Sequence, residues 1–179
     1  MSRIVILMGS ERKGGNTEAL AGAFMEGAKE KNEVEMIRVG DINVYPCTGC
    51  ECCFTSKENV CAQKDDMTWI YEKLKNADML VIASPLYFYG ISAQLKAVID
   101  RLHNPMRNTF AIRRTALLMA GAASKEEIYD AVITQYKLTL SFFGLEDAGM
   151  VFARKVKKPG DVLNSETLKE AYALGKRIG

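Results

Sequence analysis

Long apolar runs, charge of one sign and histidine are all scarce in this sequence of 179 residues. The longest early apolar run, Ile4 to Met8, is too short for a signal-peptide core and far too short to cross a bilayer, so neither a membrane anchor nor export is indicated. A cytoplasmic protein is the expectation. The 24 Lys+Arg nearly balance 22 Asp+Glu, for a net charge of +2, which excludes a polycation that coats nucleic acid. With 48% hydrophobic and 26% charged residues the chain is not a disordered polymer either. The single histidine, His103, falls at a predicted helix end and is assigned no catalytic role. The four prolines are scattered, and no Pro/Gly/Ser-rich linker or internal repeat divides the chain, so residues 1–179 read as one domain.

Several nucleotide and phosphate signatures are also missing. There is no G-x-G-x-x-G fingerprint, no P-loop G-K-[ST] and no C-x5-R loop, and no acidic pair follows the first apolar run. Rossmann-type NAD binding, ordinary ATP chemistry, the cysteine phosphatases and phospho-acceptor receivers are therefore all disfavoured.

What is present is an alternation of short apolar runs with longer segments of helical period, the pattern of a parallel sheet with crossover helices. Strands are predicted at Ile4–Met8, 34–39, Met79–Ala83, Thr115–Met119 and Ala148–Phe152. Helices are predicted from Asn16 or Thr17 to about Lys31, over Met67–Lys75, Ser92–Leu102 and Glu126–Phe143, and from an N-cap at Ser165 to Lys176. Five strands in this length fit a flavodoxin-like α/β fold, a doubly wound parallel sheet of order 2-1-3-4-5. Residues 40–66 read as an irregular, cysteine-rich insertion. In such sheets ligands sit outside the carboxyl ends of the strands, which singles out the loops after Met8, Ala83 and Met119.

The loop from Gly9 to Thr17 joins a buried strand to a helix. Its glycines, Gly15 among them, let backbone N–H groups turn inward, the helix N-terminus adds partial positive charge, and Ser10, Asn16 and Thr17 can donate to phosphate oxygens. A glycine-rich turn with solvated Arg12 and Lys13 is the plainer alternative. The loop after the third strand, Ser84-Pro85-Leu86-Tyr87-Phe88-Tyr89-Gly90, brings three aromatics to the same edge and could supply a flat apolar wall with backbone donors. Packing of these aromatics on a helix or a second subunit is the competing use. A phosphate loop and an aromatic loop at one switch point indicate FMN.

At these residues the chain resembles the NAD(P)H-dependent FMN reductase family. The matching pieces are Gly9-Ser10-Glu11-Arg12 with Gly15-Asn16-Thr17, Ser84-Pro85-Leu86-Tyr87, and Leu95 through Arg101. The resemblance implies that Ser10, Arg12, Asn16 and Thr17 hold the FMN phosphate, that the ring rests on Pro85 to Gly90, and that a third contact comes from Gly121 to Ser124. It also implies NAD(P)H as reductant, a small-molecule or protein electron donor or acceptor, and a homodimer or homotetramer. Catalysis would be centred on the flavin, with no side-chain acid or base required. Glu11 stands where many relatives carry proline, and an acidic side chain there must point away from a phosphate.

The remaining motif is Cys47-x2-Cys50-x2-Cys53-x7-Cys61, with Cys52 as a spare. Successive x2 spacings suit three corners of a [4Fe-4S] cluster with a fourth ligand further on, whereas structural zinc usually takes two separated C-x2-C pairs. The same pattern after the second strand marks the iron-sulfur flavoprotein branch of the family. Reduced thiols in a loop remain the alternative, and Cys52 beside Cys53 leaves the third ligand open. Without a cluster, the chain would be an NAD(P)H:FMN or quinone reductase, or a non-enzymatic electron carrier.

Overall fold

The computed structural model describes residues 1–178. The apolar run of β1 (Arg3–Met8) alternates faces, Val5 and Leu7 entering one core and Ile4, Ile6 and Met8 the other. A strand that is apolar at every position must be covered on both sides, so β1 lies inside the sheet. It pairs in parallel with β2 (Glu33–Arg38) and with β3 (Met79–Pro85). Beyond them follow β4 (Arg114–Ala120) and β5 (Glu146–Ala153), giving the five-stranded parallel order 2-1-3-4-5 of the flavodoxin-like fold.

On one face α1 (Asn16–Ala28) packs against α6 (Glu166–Arg177). The crossing is close because both helices carry glycine where they meet. A Cβ at Gly27 would run into the backbone of Tyr172 and Lys176, and one at Gly175 into that of Phe24 and Ala28. The other face carries α3 (Met67–Lys75), α4 (Ala93–Arg101) and α5 (Asp130–Phe143), over a core that includes Ile70, Leu74, Leu95, Val98, Val132 and Tyr136.

The structure departs from the sequence reading at element ends. The helix expected over Glu126–Phe143 begins as a 3-10 turn, Glu126–Tyr129, and becomes α-helical only at Asp130. Val39 leaves the strand for a 3-10 turn over Val39–Asp41, and the cysteine-rich segment contains a single helical turn, α2 (Cys52–Thr55). Gly144, at φ +65°, ends α5 in the left-handed conformation that glycine adopts at least cost.

Three backbone hydrogen bonds extend the ladder just past the carboxyl ends of the strands. Gly9 N–H donates to Ala83 O at 2.8 Å, Leu86 N–H to Ala120 O at 2.8 Å, and Gly121 N–H to Ala153 O at 2.9 Å. The loops after β1, β3 and β4 therefore start side by side. Gly9 also lets the N-terminus of α4 come close, since a Cβ there would lie 2.7 Å from Ser92 Oγ and 2.8 Å from Leu95 Cβ.

Gly27→Ala is expected to force α1 and α6 apart and to destabilise the fold by about 1–3 kcal/mol, the usual cost of overpacking. Thermal or urea unfolding checks this; an unchanged midpoint would mean the crossing is slack.

Candidate functional site

A crevice of about 160 Å³ opens where the loops after β1, β3 and β4 converge, and the loop after β5 closes its far side. The first loop contributes Ser10, Arg12, Gly15, Asn16 and Thr17, the second Pro85, Leu86 and Tyr87, and the third Gly121. The sequence reading had singled out all of these. Ala122, within the expected Gly121 to Ser124 contact, lines it too; Val156 and Lys157 also line it and were missed, although the cation-rich run from Arg154 to Lys158 was a visible signal.

The β1 loop is built to expose donors. Helix α1 starts from Gly15, which is extended and provides no side-chain cap, and its first backbone bond is Ala19 N–H to Gly15 O at 3.0 Å. The N–H groups of Asn16, Thr17 and Glu18 thus have no partner within the helix, and the helix dipole adds positive potential there. Helices α4 and α6 differ in being capped by the hydroxyls of Ser92 and Ser165. The side chains of Ser10 and Thr17 are buried beside this terminus. The acidic neighbours are turned aside. Glu18 accepts from Gly14 N–H at 2.6 Å and pairs with Arg38, which also donates to Ser10 O at 3.1 Å. Glu11 accepts from Gln94 Nε2 at 2.6 Å, so it points away from the crevice as an anion site demands.

Asn16 is placed differently from the expectation. Its amide donates to Lys158 O at 2.9 Å and accepts from Val162 N–H at 3.2 Å. The side chain therefore ties the β5–α6 loop to the β1 loop, which leaves its backbone N–H and one amide hydrogen for a ligand.

After β3 the chain makes a tight hairpin. Tyr87 and Gly90 exchange two backbone hydrogen bonds, 2.9 and 3.1 Å, around Phe88 and Tyr89. Both central residues have positive φ, +46° and +69°, which places two aromatics where glycine or asparagine is usual. Each costs roughly 1–2 kcal/mol of backbone strain. The strain is held from below, where Ser84 Oγ donates to Pro85 O at 2.8 Å and accepts from Ser92 N–H at 2.9 Å. The turn holds Phe88 almost fully in solvent, with Tyr87 and Tyr89 about half exposed, at the crevice edge. Phe88, Tyr89 and Gly90 do not line the crevice itself.

On the third side, a Cβ on Gly121 would sit 2.6 Å from the Tyr129 hydroxyl. That hydroxyl is fully buried and has no hydrogen-bond partner, while the Arg154 guanidinium lies 5.6 Å from the ring centre. Burial raises the Tyr129 pKa above its ordinary value, with Arg154 working against the shift. Sequence reasoning had no means to single out Tyr129, because the 3-10 turn that delivers it was unforeseen.

The cysteine segment lies against the C-terminal end of α4. Cys47, Cys53 and Cys61 line a cavity of about 450 Å³ together with Tyr71, Arg101, His103 and Asn104. Cys50 does not. It is exposed, between the left-handed residues Gly49 and Glu51, with its thiol beside that of Cys52. The backbone N–H of Cys52 lowers the Cys50 pKa, the same thiol contact raises that of Cys52, and burial raises that of Cys53. Among the described residues no three Cys, His, Asp or Glu side chains converge closely enough to hold a metal ion. The cavity wall nevertheless has buried donors to spare. Arg101 Nε is unpaired, and Asn104 Nδ2, beside the Tyr71 hydroxyl, completes no hydrogen bond. Unmet donors suit an anionic, sulfur-rich occupant whose sulfurs accept N–H groups.

A cavity of about 600 Å³, larger than either, lies between α4 and α5 and is mostly apolar. No helix among the described residues is long and apolar enough to cross a membrane.

A parallel sheet of this order, with ligand loops clustered at its carboxyl edge, defines the flavodoxin-like class. The sequence profile of the NADPH-dependent FMN reductases matches residues 2–154, and the chain belongs to that family of oxidoreductases. It is 32% identical to an iron-sulfur flavoprotein of Methanocaldococcus jannaschii over 98% of this chain and 95% of that one. An iron-sulfur flavoprotein of Methanosarcina thermophila is 38% identical over 62% of this chain, and the match spans 58% of that relative's length. Among solved structures, the NAD(P)H:quinone oxidoreductase of Methanothermobacter marburgensis superposes with a TM-score of 0.78 at 19% identity, over 99% of this chain and 96% of that one.

Asn16→Ala is expected to release the β5–α6 loop. Loss of its two bonds should cost about 1–2 kcal/mol, with faster amide exchange at Val162. Exchange at Val162 matching the wild type would show the loop is held by other contacts.

Proposed function

We propose that this protein is an FMN-dependent oxidoreductase which takes reducing equivalents from NAD(P)H and passes them to a small-molecule or protein acceptor, with a [4Fe-4S] cluster held by Cys47, Cys50, Cys53 and Cys61. The observation that carries the flavin part is the uncapped N-terminus of α1, flanked by Arg12 and Lys157 and set beside a strained aromatic hairpin.

In this reading the backbone N–H groups of Asn16 and Thr17, the hydroxyls of Ser10 and Thr17, and the Arg12 guanidinium hold the FMN phosphate. A crevice of about 160 Å³ accommodates a phosphate and polyol chain, and leaves a three-ring system to lie outward on Pro85, Leu86 and the Tyr87–Gly90 turn. Gly121 keeps the third wall low, and the unpaired Tyr129 hydroxyl beneath it is free to donate. Bound flavin supplies the hydride and electron chemistry. The protein orients it, neutralises its phosphate and shields one side of the ring from water. No side chain is placed as a general acid or base.

The cluster part is supported by three cysteines on one cavity, by the unmet donors at its wall, and by relatives named iron-sulfur flavoproteins. Cys50 must rotate inward from its contact with Cys52 to complete the set. The crevice and the cysteine cavity flank opposite ends of α4, nine residues or about 13 Å long. A homodimer or homotetramer is proposed with this reading. A reductase without a cluster is the second reading, favoured by the lack of three converged ligands.

Titration with FMN is expected to quench flavin fluorescence. Thr17→Val, which removes one charge-assisted donor worth roughly 1.5–3 kcal/mol, should weaken binding about ten- to a hundredfold. Protein that binds no FMN would overturn the reading. Anaerobic reconstitution should yield about four irons and four sulfides per chain; a flavin spectrum with no iron selects the clusterless reductase. Oxidation of NADH or NADPH with a quinone as acceptor is expected, and no turnover with either nucleotide would leave only an electron carrier.

A further inference from the structure

Arg101 is the last residue of α4 and is almost completely buried, as is the Asp65 carboxylate it pairs with. Burying two charges is costly unless their remaining hydrogen-bonding capacity is also met. Asp65 meets its share from both sides of the cysteine segment, accepting from Tyr45 N–H at 2.9 Å and from Met67 N–H at the start of α3 at 3.1 Å. Burial alone would raise the Asp65 pKa, but Arg101 and these N–H groups outweigh it and hold the carboxyl below its usual range. Arg101 in turn donates Nη1 to Tyr45 O at 3.2 Å and Nη2 to Cys61 Sγ at 3.3 Å. The Tyr71 hydroxyl fixes the end of α4 by donating to Arg101 O at 2.8 Å.

One guanidinium therefore grips the cysteine segment before Cys47, at Tyr45, and after Cys61, at Asp65, and also touches Cys61 itself. All five cysteines lie between Tyr45 and Asp65. A residue that served only to neutralise Asp65 would have no reason to spend its second fork on a sulfur.

We propose that Arg101 is the positioning residue of the cysteine site: it closes the segment from Tyr45 to Asp65 into a loop, presents Cys61 to the cluster, and favours the cluster's reduced state. This rests on the cluster reading above. A cluster held by these cysteines would accept single electrons supplied by reduced FMN, its charge falling by one with no protein bond made or broken. Arg101, protonated throughout, stabilises that more negative state through its charge and its N–H···S bond.

The test compares wild type, Arg101→Lys and Arg101→Gln after anaerobic reconstitution with iron and sulfide, reading iron content, release to a chelator, and the cluster midpoint potential. Lysine keeps the pair with Asp65 but lacks the second fork. It is expected to fold and bind FMN as wild type does, to shift the cluster midpoint to more negative values, and to release iron about tenfold faster, in line with loss of a partner that orients a metal ligand. Glutamine should lose more iron. In wild type, the iron–thiolate vibrations should respond to D2O exchange, and that response should shrink in the lysine variant. Loaded wild type with equal potentials and iron release in both variants overturns the role of Arg101 and leaves the cluster standing, as does a wild-type spectrum indifferent to D2O. Wild type that takes up no iron overturns both.

Discussion

The arrangement depends on backbone pairing that continues one residue beyond the strands. Gly9, Leu86 and Gly121 each donate to the neighbouring strand near its carboxyl end, so three chain segments far apart in sequence leave the sheet each one strand spacing from the next. Everything at the crevice inherits its position from these bonds. The α1 N-terminus can offer unpaired N–H groups only because the preceding loop leaves the sheet at a fixed point, and the hairpin at Tyr87–Gly90 can sustain two left-handed aromatics only because its base cannot move.

Charge is managed with the same economy. Around the β1 loop each carboxylate has a partner that draws it outward, Glu11 to Gln94 and Glu18 to Arg38, which leaves the helix terminus and Arg12 unopposed. At the other end of α4 the arrangement is inverted, with Arg101 and Asp65 buried together and the cysteine segment folded around them. A buried ion pair contributes little net stability, and what it provides here is a single geometry for a segment of 19 residues (64 − 45 = 19) lying between Tyr45 and Asp65.

Much of this was legible because it is local. The run Ile4 to Met8 reads as a strand covered on both faces and Gly9 to Thr17 as a strand-to-helix turn, and the fold contains both. The residues that escaped notice act across the fold. Asn16 was read as a phosphate ligand, yet its amide bonds Lys158 and Val162, 142 and 146 residues away. Tyr129 and Lys157 reach the site only because β4 and β5 pair, and Cys50 lies outside the cysteine cavity, between two left-handed residues that spacing does not encode.

The amino-acid order alone determined the strand and helix sequence, the parallel five-stranded class, and which loops carry the glycine-rich, aromatic and cysteine motifs, because hydrophobic period, glycine placement and short motifs act over a few residues. Tertiary structure decided which of those side chains are free. Hydrogen-bond partners are claimed by whatever the fold brings near, and no local pattern foretells that Asn16 will be spoken for while the hydroxyl of Tyr129 and the Nε of Arg101 are left without a partner.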